Sequence, residues 1–181
     1  MKKIIIGLAG EMASGKGSVS SYLEEKHNAK TYRFSDVFRN ILKILHLSES
    51  RGNISDLSSM VRKTFGEDII SKATAESVKK GGSEIIVVDG VRRPDDLKYF
   101  KKMPEFKLVF VDTDIEKRYE RIVKRGENSD DNTKKLEDFK KDHKREAESQ
   151  AKDLKNIADK IIDNNGTIES LYRQVDEIVG E

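Results

Sequence analysis

The 181-residue sequence contains no cysteine, which excludes disulfide bonds, thiolate zinc sites and a cysteine nucleophile. Its three histidines, His27, His46 and His143, lie far apart and lack the spacing of metal ligands. No apolar run approaches the ~18 residues of a membrane span. The apolar start at residues 3–8 passes directly into a glycine-rich segment, which favours a buried strand over a signal peptide. We therefore expect a cytoplasmic protein that does not contact a membrane.

The sequence also lacks an excess of charge of one sign. Its 35 basic and 33 acidic side chains leave a formal net charge of +2. This balance does not favour a general nucleic-acid binder, although a local basic cluster could serve one anionic substrate. The length is that of about one domain, and we find neither an internal repeat nor a low-complexity linker. We therefore treat residues 1–181 as a single domain.

The remaining pattern alternates apolar runs of strand length with segments of helical periodicity. Such alternation predicts an α/β fold with a parallel sheet covered on both faces. Ser35 or Asp36 is the predicted N-cap of the second helix, and Thr167 that of the last helix. The predicted strands cover residues 3–8, 29–34, 84–90, 106–112 and 158–164. The predicted helices cover residues 15–26, 35–47, 54–79, 93–102 and 113–125, a charged segment to about 156, and 167–179.

A glycine-rich segment, GLAGEMASGKGSVSSYL at residues 7–23, joins the first strand to the first helix. Such a turn places backbone N–H groups around an anion at the positive end of the helix dipole. Lys16 then supplies a positive charge to the β- and γ-phosphates of a nucleotide. The alternative is an ordinary strand-to-helix turn. The predicted ATP-binding residues of this loop are Gly10, Ala13, Ser14, Gly15, Lys16, Gly17 and Ser18.

A second set of polar residues follows the apolar strand at 84–90. Asp89 ends this strand, where a carboxylate can organise Mg²⁺ and its waters beside the loop. Arg92 and Arg93 follow on a turn, and a guanidinium binds phosphate in a bidentate manner. Arg92 is the stronger candidate on spacing. The alternative is a solvated pair of arginines.

The loop ending Gly-Lys-Gly-Ser resembles the Gly-Lys-Gly-Thr loop of adenylate kinase and its nucleoside monophosphate kinase relatives. Gly17 stands where a direct magnesium ligand is usual, so the resemblance implies that Ser18 contacts phosphate near a metal held largely by water and Asp89. The segment VVDGVRRPDD at 87–96 resembles the Asp-Gly-Phe-Pro-Arg segment of the same kinases. By this resemblance, Arg92 and Arg93 bind the phosphate of the acceptor.

The segment FSDVFRN at 34–40 resembles the Thr-Gly-Asp-x-x-Arg segment of adenylate kinases, which lines the acceptor. The matching residues are Ser35, Asp36 and Arg39, although a Ser-Asp pair is also a common helix N-cap. Arg62 resembles an arginine in the acceptor region of phage-type deoxynucleoside monophosphate kinases, and a surface charge is an equal alternative. The acceptor-binding helical region implied by this resemblance covers residues 36–80.

Three arginines, Arg118, Arg121 and Arg125, fall on one face of the helix at 113–125. The segment ERIVKRGENSDDN at 120–132 resembles the short lid of pyrimidine monophosphate kinases, which implies a helical lid at 118–145. In that family a lid arginine stabilises charge on the transferring phosphoryl group, and Arg121 and Arg125 match best. The family's arginine before the Asp-Asp pair is Asn128 here. Lys141, Lys144 and Arg145 remain open as substitutes.

The C-terminal segment at 157–179 resembles dephospho-CoA kinase, which makes Asn165, with its neighbours Asn164 and Gly166, a candidate at the adenine. Over essentially its full length, the chain resembles the adenylate-kinase-related, dephospho-CoA-kinase-like small P-loop proteins. This resemblance implies a P-loop α/β/α fold with a five-stranded parallel sheet in the order 2-3-1-4-5. It implies a magnesium-dependent kinase that moves the γ-phosphate of ATP to a nucleoside or deoxynucleoside monophosphate. The alternatives are a dephospho-CoA kinase and a nucleotide-switched binding module or slow ATPase. Neither the acceptor's base or sugar nor the oligomeric state is predicted.

Overall fold

The computed structural model describes residues 3–125, 136–142 and 153–180. Its centre is one parallel sheet, in which strand 1 pairs with strands 3 and 4 and the outer strands are 2 and 5. The strands are β1 (Ile4–Ala9), β2 (Lys30–Arg33), β3 (Ile85–Val91), β4 (Phe106–Asp112) and β5 (Lys160–Asp163). The order β2-β3-β1-β4-β5 confirms the predicted topology.

Helices cover both faces of this sheet, as expected for parallel strands joined by crossovers. Their bounds are α1 (Lys16–His27), α2 (Phe34–Ile44), α3 (Arg51–Phe65), α4 (Ile69–Lys80), α5 (Ile115–Arg125), α6 (Leu136–Asp142) and α7 (Ile168–Gly180). Thr167 caps α7 as predicted, since its hydroxyl accepts the Ser170 N–H at 3.3 Å.

The core consists of two layers, one on each face of the sheet, and the alternation of β1 separates them. Ile5 and Ala9 contribute to the layer beneath α2 and α4. Ile4, Ile6 and Leu8 contribute to the layer beneath α1 and α7. All of β1 is buried, which explains its continuous apolar sequence.

The helical region at 54–79 was predicted as one helix and is in fact two. The first helix already begins at Arg51, where the Ser50 hydroxyl accepts the Asn53 N–H. It ends at Phe65, and the following Gly66 has a φ of 102° and donates its N–H to the Arg62 carbonyl. A positive φ favours glycine and ends the helix. The chain therefore turns between α3 and α4.

Two smaller expectations also need correction. Neither Ser35 nor Asp36 is the N-cap of α2, because the helix begins at Phe34 and Asp36 accepts the Arg33 N–H from inside the first turn. The segment 93–102 forms two 3₁₀ turns, Pro94–Leu97 and Phe100–Lys102, and not a short α-helix.

Part of the predicted lid at 118–145 lies outside the described residues. Helix α6 occupies the start of the predicted charged helix, and its buried Phe139 packs on Tyr119 of α5 with ring centroids 5.9 Å apart. A 3₁₀ turn at Leu154–Ile157 lies near the predicted end. Asn128, Lys144, Arg145 and the side chains of Arg125 and Lys141 lie outside the described residues. Over the described ranges, no helix has the length and apolar character needed to cross a bilayer.

Candidate active site

A cleft of about 850 Å³ opens beyond the carboxyl ends of the central strands, where ligands bind in open α/β sheets. Eleven of the predicted site residues line it, and they come from several separate segments of the chain. They are Ala13, Ser14, Gly15, Lys16, Gly17 and Ser18 of the loop after β1, Ser35 and Arg39 of α2, Asp89 and Arg92 of the β3 end, and Arg121 of α5. The fold therefore brings most of the predicted donor and acceptor residues to one cavity.

The loop between β1 and α1 has the backbone conformation that its glycines permit. Gly10 has a φ of 146° and Gly15 a φ of 101°. A Cβ on Gly15 would lie 2.1 Å from the side-chain nitrogen of Asn164. Gly15 is also the residue that precedes α1, so the positive end of that helix dipole faces the cleft. This part of the loop therefore suits a phosphate group.

Lys16 lies across the inside of the loop. Its ammonium donates hydrogen bonds to the carbonyl oxygens of Gly10 at 2.6 Å and Glu11 at 3.0 Å. Lys16 also lines the cleft. A flexible four-carbon side chain at this position can exchange carbonyl partners for phosphate oxygens.

Three side chains converge on the carbonyl oxygen of Ser14 at the centre of the loop. The donors are the Thr113 hydroxyl at 2.8 Å, the Asn164 amide at 2.7 Å and the Arg121 guanidinium at 3.2 Å. Thr113 and Asn164 are both buried. The ends of β4 and β5 thus hold the loop in place. Thr113 was not predicted from the sequence, and Asn164 was predicted only as a candidate at the adenine. Their contacts with Ser14 span 99 and 150 residues, and no local pattern signals contacts over such separations.

The basic face predicted on α5 has two parts with different surroundings. Arg118 is buried, donates to the Thr113 carbonyl at 2.9 Å and pairs with Glu11 at 3.1 Å. Arg121 faces the cleft and also donates to the Asn164 carbonyl at 3.0 Å. Arg118 therefore supports the loop from a buried position, whereas Arg121 contacts the loop and also lines the cleft. The Arg125 side chain lies outside the described residues.

Asp89 lies at the floor of the cleft with 21% of its side chain exposed. The Arg33 guanidinium is 3.7 Å from its carboxylate. Ser18 is exposed at the same cleft, and both residues offer oxygen donors, which Mg²⁺ prefers. In the described part of the chain, no group of three or more histidines and carboxylates could hold a metal by itself. The donor set fits a Mg²⁺ ion bound through Asp89, water and phosphate oxygens.

Arg39 and Arg92, which were predicted to bind the acceptor, differ in their partners. Arg39 pairs with Glu49 at 3.2 Å, and Lys43 lies 3.7 Å from the same carboxylate. The Arg92 side chain is exposed to the cleft, and its guanidinium has no partner among the described residues. Asp36 accepts the Arg33 N–H at 3.1 Å and does not line the cleft.

A second cleft of about 410 Å³ continues from Lys16 and Asp89 toward α3. Arg62 and Arg93 line this cleft. Arg62 is 8% exposed and pairs with Asp96 at 2.8 Å, so the alternative of a surface charge is wrong. Arg93 pairs with Glu67 at 2.6 Å at the protein surface.

Asn165 lies just beyond β5 and outside both clefts. Its side-chain oxygen accepts the Asp114 N–H at 2.9 Å, and its amide donates to Asp163 at 2.7 Å. Lys117 donates to its carbonyl. These contacts tie the turn after β5 to the start of α5.

Comparison with known proteins shows the family of this chain. The family model AAA_18, described as an AAA domain, matches residues 6–155, and the chain belongs to this family. A UPF0200 protein of Sulfurisphaera tokodaii is 30% identical over 175 residues, which are 97% of this chain and 95% of that protein. A UPF0200 protein of Staphylothermus marinus is 33% identical over 173 residues, which are 96% and 89% of the two chains.

Solved structures confirm the fold. TT1252 from Thermus thermophilus superposes with a TM-score of 0.64 at 14% identity and covers 99% of this chain and 98% of its own. Shikimate kinase from Bacteroides thetaiotaomicron has a TM-score of 0.59 at 16% identity and covers 98% and 99%. At these identities the similarity shows the fold alone, which is that of a small P-loop kinase.

Proposed function

We propose that this member of the AAA_18 family is an ATP-dependent kinase that phosphorylates the phosphate group of a nucleoside or deoxynucleoside monophosphate. One observation carries the proposal. The phosphate loop with Lys16 shares a single cleft with Arg39, Arg92 and Asp89. A donor loop and two arginines in one cleft are suited to hold two phosphorylated molecules end to end.

ATP would occupy the side of the cleft formed by the loop at 10–18. Backbone N–H groups at the start of α1 and the Lys16 ammonium would bind its β- and γ-phosphates. The hydrogen bonds from Thr113, Asn164 and Arg121 to the Ser14 carbonyl support this role, because they keep the loop in one conformation before the nucleotide binds. Asn165 remains the proposed neighbour of the adenine.

The acceptor would bind across the cleft beside Ser35, Arg39 and Arg92, and would extend toward Arg62 and Arg93 of the second cleft. Asp36 would act from outside the cleft, by holding the Arg33 N–H at the start of α2. In the reaction, an acceptor phosphate oxygen forms a bond to the γ-phosphorus. The bond from that phosphorus to the β–γ bridging oxygen breaks, and ADP leaves with that electron pair. A phosphate oxygen that attacks as an anion needs no general base, and the described cleft residues include no histidine.

Negative charge on the transferring group would be offset by Lys16, Arg121 and Arg125. Asp89 and Ser18 would hold Mg²⁺ with water, and the ion would neutralise charge on the β- and γ-phosphates when bound. Arg121 already lies at the edge of the loop, 3.2 Å from the Ser14 carbonyl. When ATP is bound, its guanidinium would turn from this carbonyl toward the γ-phosphate.

A hydroxyl acceptor is the second candidate, and the position of Asp89 favours it. Its carboxylate faces both clefts beside Lys16 and could take a proton from a hydroxyl group. The shikimate kinases that share the fold are named for a hydroxyl-bearing acceptor. Dephospho-CoA is the other acceptor of this class.

The experiment is ADP formation from Mg-ATP with a panel of ribo- and deoxyribonucleoside monophosphates, with dephospho-CoA and shikimate included. Stimulation by one monophosphate is the expected result and identifies the acceptor. Stimulation by dephospho-CoA or shikimate alone would replace the proposal with the second candidate. ATP binding without stimulation by any acceptor would contradict both and favour a nucleotide-switched module or slow ATPase.

A further inference from the structure

The carboxylate of Asp96 is a buried junction beneath the acceptor side of the cleft. Its side chain is 1% exposed, and one carboxylate oxygen accepts the backbone N–H groups of both Arg92 and Arg93 at 3.0 Å. These residues form the turn that follows β3. A carboxylate oxygen that accepts hydrogen bonds from two successive backbone N–H groups holds the turn more firmly than a neutral oxygen would.

The other carboxylate oxygen of Asp96 connects this turn to the helices on the acceptor side. It accepts a hydrogen bond from the Arg62 guanidinium of α3 at 2.8 Å. The Arg62 guanidinium also donates to the Glu67 carbonyl, between α3 and α4. The Asp96 carbonyl in turn accepts the Ser71 hydroxyl of α4 at 2.8 Å. One residue thus ties three segments of the chain together.

The two arginines of the turn have different surroundings. The Arg93 guanidinium is engaged by Glu67 at 2.6 Å. Arg92 has its backbone held by Asp96, while its guanidinium faces the cleft without a partner among the described residues. The Arg92 guanidinium is therefore available to a ligand in the cleft, while Asp96 holds the Arg92 backbone in place.

We propose that Asp96 is a positioning residue that presents Arg92 to the phosphate of the acceptor. This inference rests on the proposed function in one respect, the assignment of Arg92 to the acceptor. A buried ion pair is weak evidence of a role in stability, since well-packed apolar residues often serve as well. Asp96 also accepts the backbone N–H groups of Arg92 and Arg93, and these two hydrogen bonds are the reason to assign it a role in positioning Arg92.

The test is a titration of the ¹⁵N-labelled full chain with inorganic phosphate, followed at the Arg92 side-chain Nε–H signal. In Asp96→Asn we expect phosphate affinity at Arg92 to fall at least about tenfold, because small misplacements of a binding group have large effects. ATP affinity should stay within about twofold of the parent value, since the loop at 10–18 makes no described contact with Asp96. The matched control is Asp68→Asn, which removes the same charge from the pair with Lys98.

The control should retain the phosphate affinity of the parent protein. Ser71→Ala is a milder second variant for the case in which Asp96→Asn does not fold, and it should weaken phosphate binding by a smaller factor. The inference would be overturned by unchanged phosphate affinity in these variants, by equal losses in the Asp68 control, or by a parent protein whose Arg92 binds no phosphate. The titration needs no turnover. Phosphate binding at Arg92 without transfer to any acceptor would therefore contradict the proposed function alone.

Discussion

Asn164 donates its side-chain amide to the carbonyl oxygen of Ser14 over 2.7 Å and so connects the end of β5 to the phosphate loop. The same amide nitrogen would lie 2.1 Å from a Cβ at position 15. A side chain at position 15 would therefore be strained at a φ of 101° and would displace the Asn164 amide. This contact links parts of the chain that are 150 residues apart.

Replacement of Asn164 by alanine should weaken ATP binding about fivefold, because a buried hydrogen bond typically contributes ~1 kcal/mol and the Ser14 carbonyl would lose a donor. Isothermal titration calorimetry with Mg-ATP measures the effect. Gln174→Ala is the control, since it removes contacts with Asp163 and Ser170 near the end of β5 without contact to the loop. Equal affinities in the two variants would show that Asn164 does not position the loop.

Alanine at position 15 should destabilise the protein by more than about 1 kcal/mol, because a Cβ is strained at positive φ and would clash with Asn164. Alanine at position 17 is the matched substitution, since a Cβ there meets nothing within 4 Å. Chemical denaturation compares the two variants. A Gly15→Ala protein as stable as Gly17→Ala would mean that the loop relaxes around the added carbon.

Lys16→Ala and Arg92→Ala should separate donor from acceptor binding. The first variant should lose at least about 100-fold in turnover, because it removes a cation aimed at the transferring phosphate. The second should raise the KM for the acceptor with little change in the KM for ATP. Steady-state kinetics with the acceptor found in the panel provides both values.

The control for these two variants is Lys101→Ala, which removes an exposed basic side chain from the second 3₁₀ turn, outside both clefts. It should leave turnover and both KM values close to those of the parent protein. An unchanged acceptor KM in Arg92→Ala would remove Arg92 from the acceptor site.

Asp176 should make the stability of the protein sensitive to acid. Its carboxylate accepts hydrogen bonds from His27 at 2.7 Å and Tyr22 at 3.0 Å, and the His27 contact is the main reason that the pKa of Asp176 is lowered. A lowered folded-state pKa adds stability above the ordinary aspartate pKa, and this contribution is lost as the pH falls through the folded-state value.

Asp176→Asn should therefore unfold at lower urea concentration than the parent protein at pH 7. The difference should shrink as the pH falls below about 4, where aspartate becomes protonated in the unfolded chain. Glu177→Gln is the control, because it neutralises the neighbouring exposed carboxylate. A difference between Asp176→Asn and the parent that is independent of pH would rule out the carboxylate as its source.

The elements predicted from the sequence were most accurate where a single local signal decided them. Strand β1 is a continuous apolar run and β4 has one at its centre, and the phosphate loop has its signature in consecutive residues. The region 54–79 was predicted as one helix because its apolar periodicity continues through Gly66. Only the backbone at Gly66, with its positive φ, shows that the chain turns there.

In the candidate site too, the residues with a local signal were predicted and those that depend on distant contacts were not. Lys16, Asp89 and Arg92 stand at the ends of predicted elements, so their positions and the resemblance to nucleoside monophosphate kinases made them candidates. All three line the cleft. Arg62 could not be distinguished from a surface charge, because its buried partner Asp96 lies 34 residues further along the chain. The role of Asp96 itself has no local signature, since an aspartate close to a proline also occurs in ordinary turns.

By itself, the sequence determined that this protein is an α/β chain with a phosphate-binding loop after its first strand, because periodicity and backbone requirements act over neighbouring residues. The tertiary structure alone decided which side chains support that loop and which face the cleft. Thr113, Arg118 and Asn164 meet the loop only because parallel strands bring their carboxyl ends to one edge of the sheet. Contacts of this kind depend on the packing of distant segments, and no local pattern in the chain encodes them.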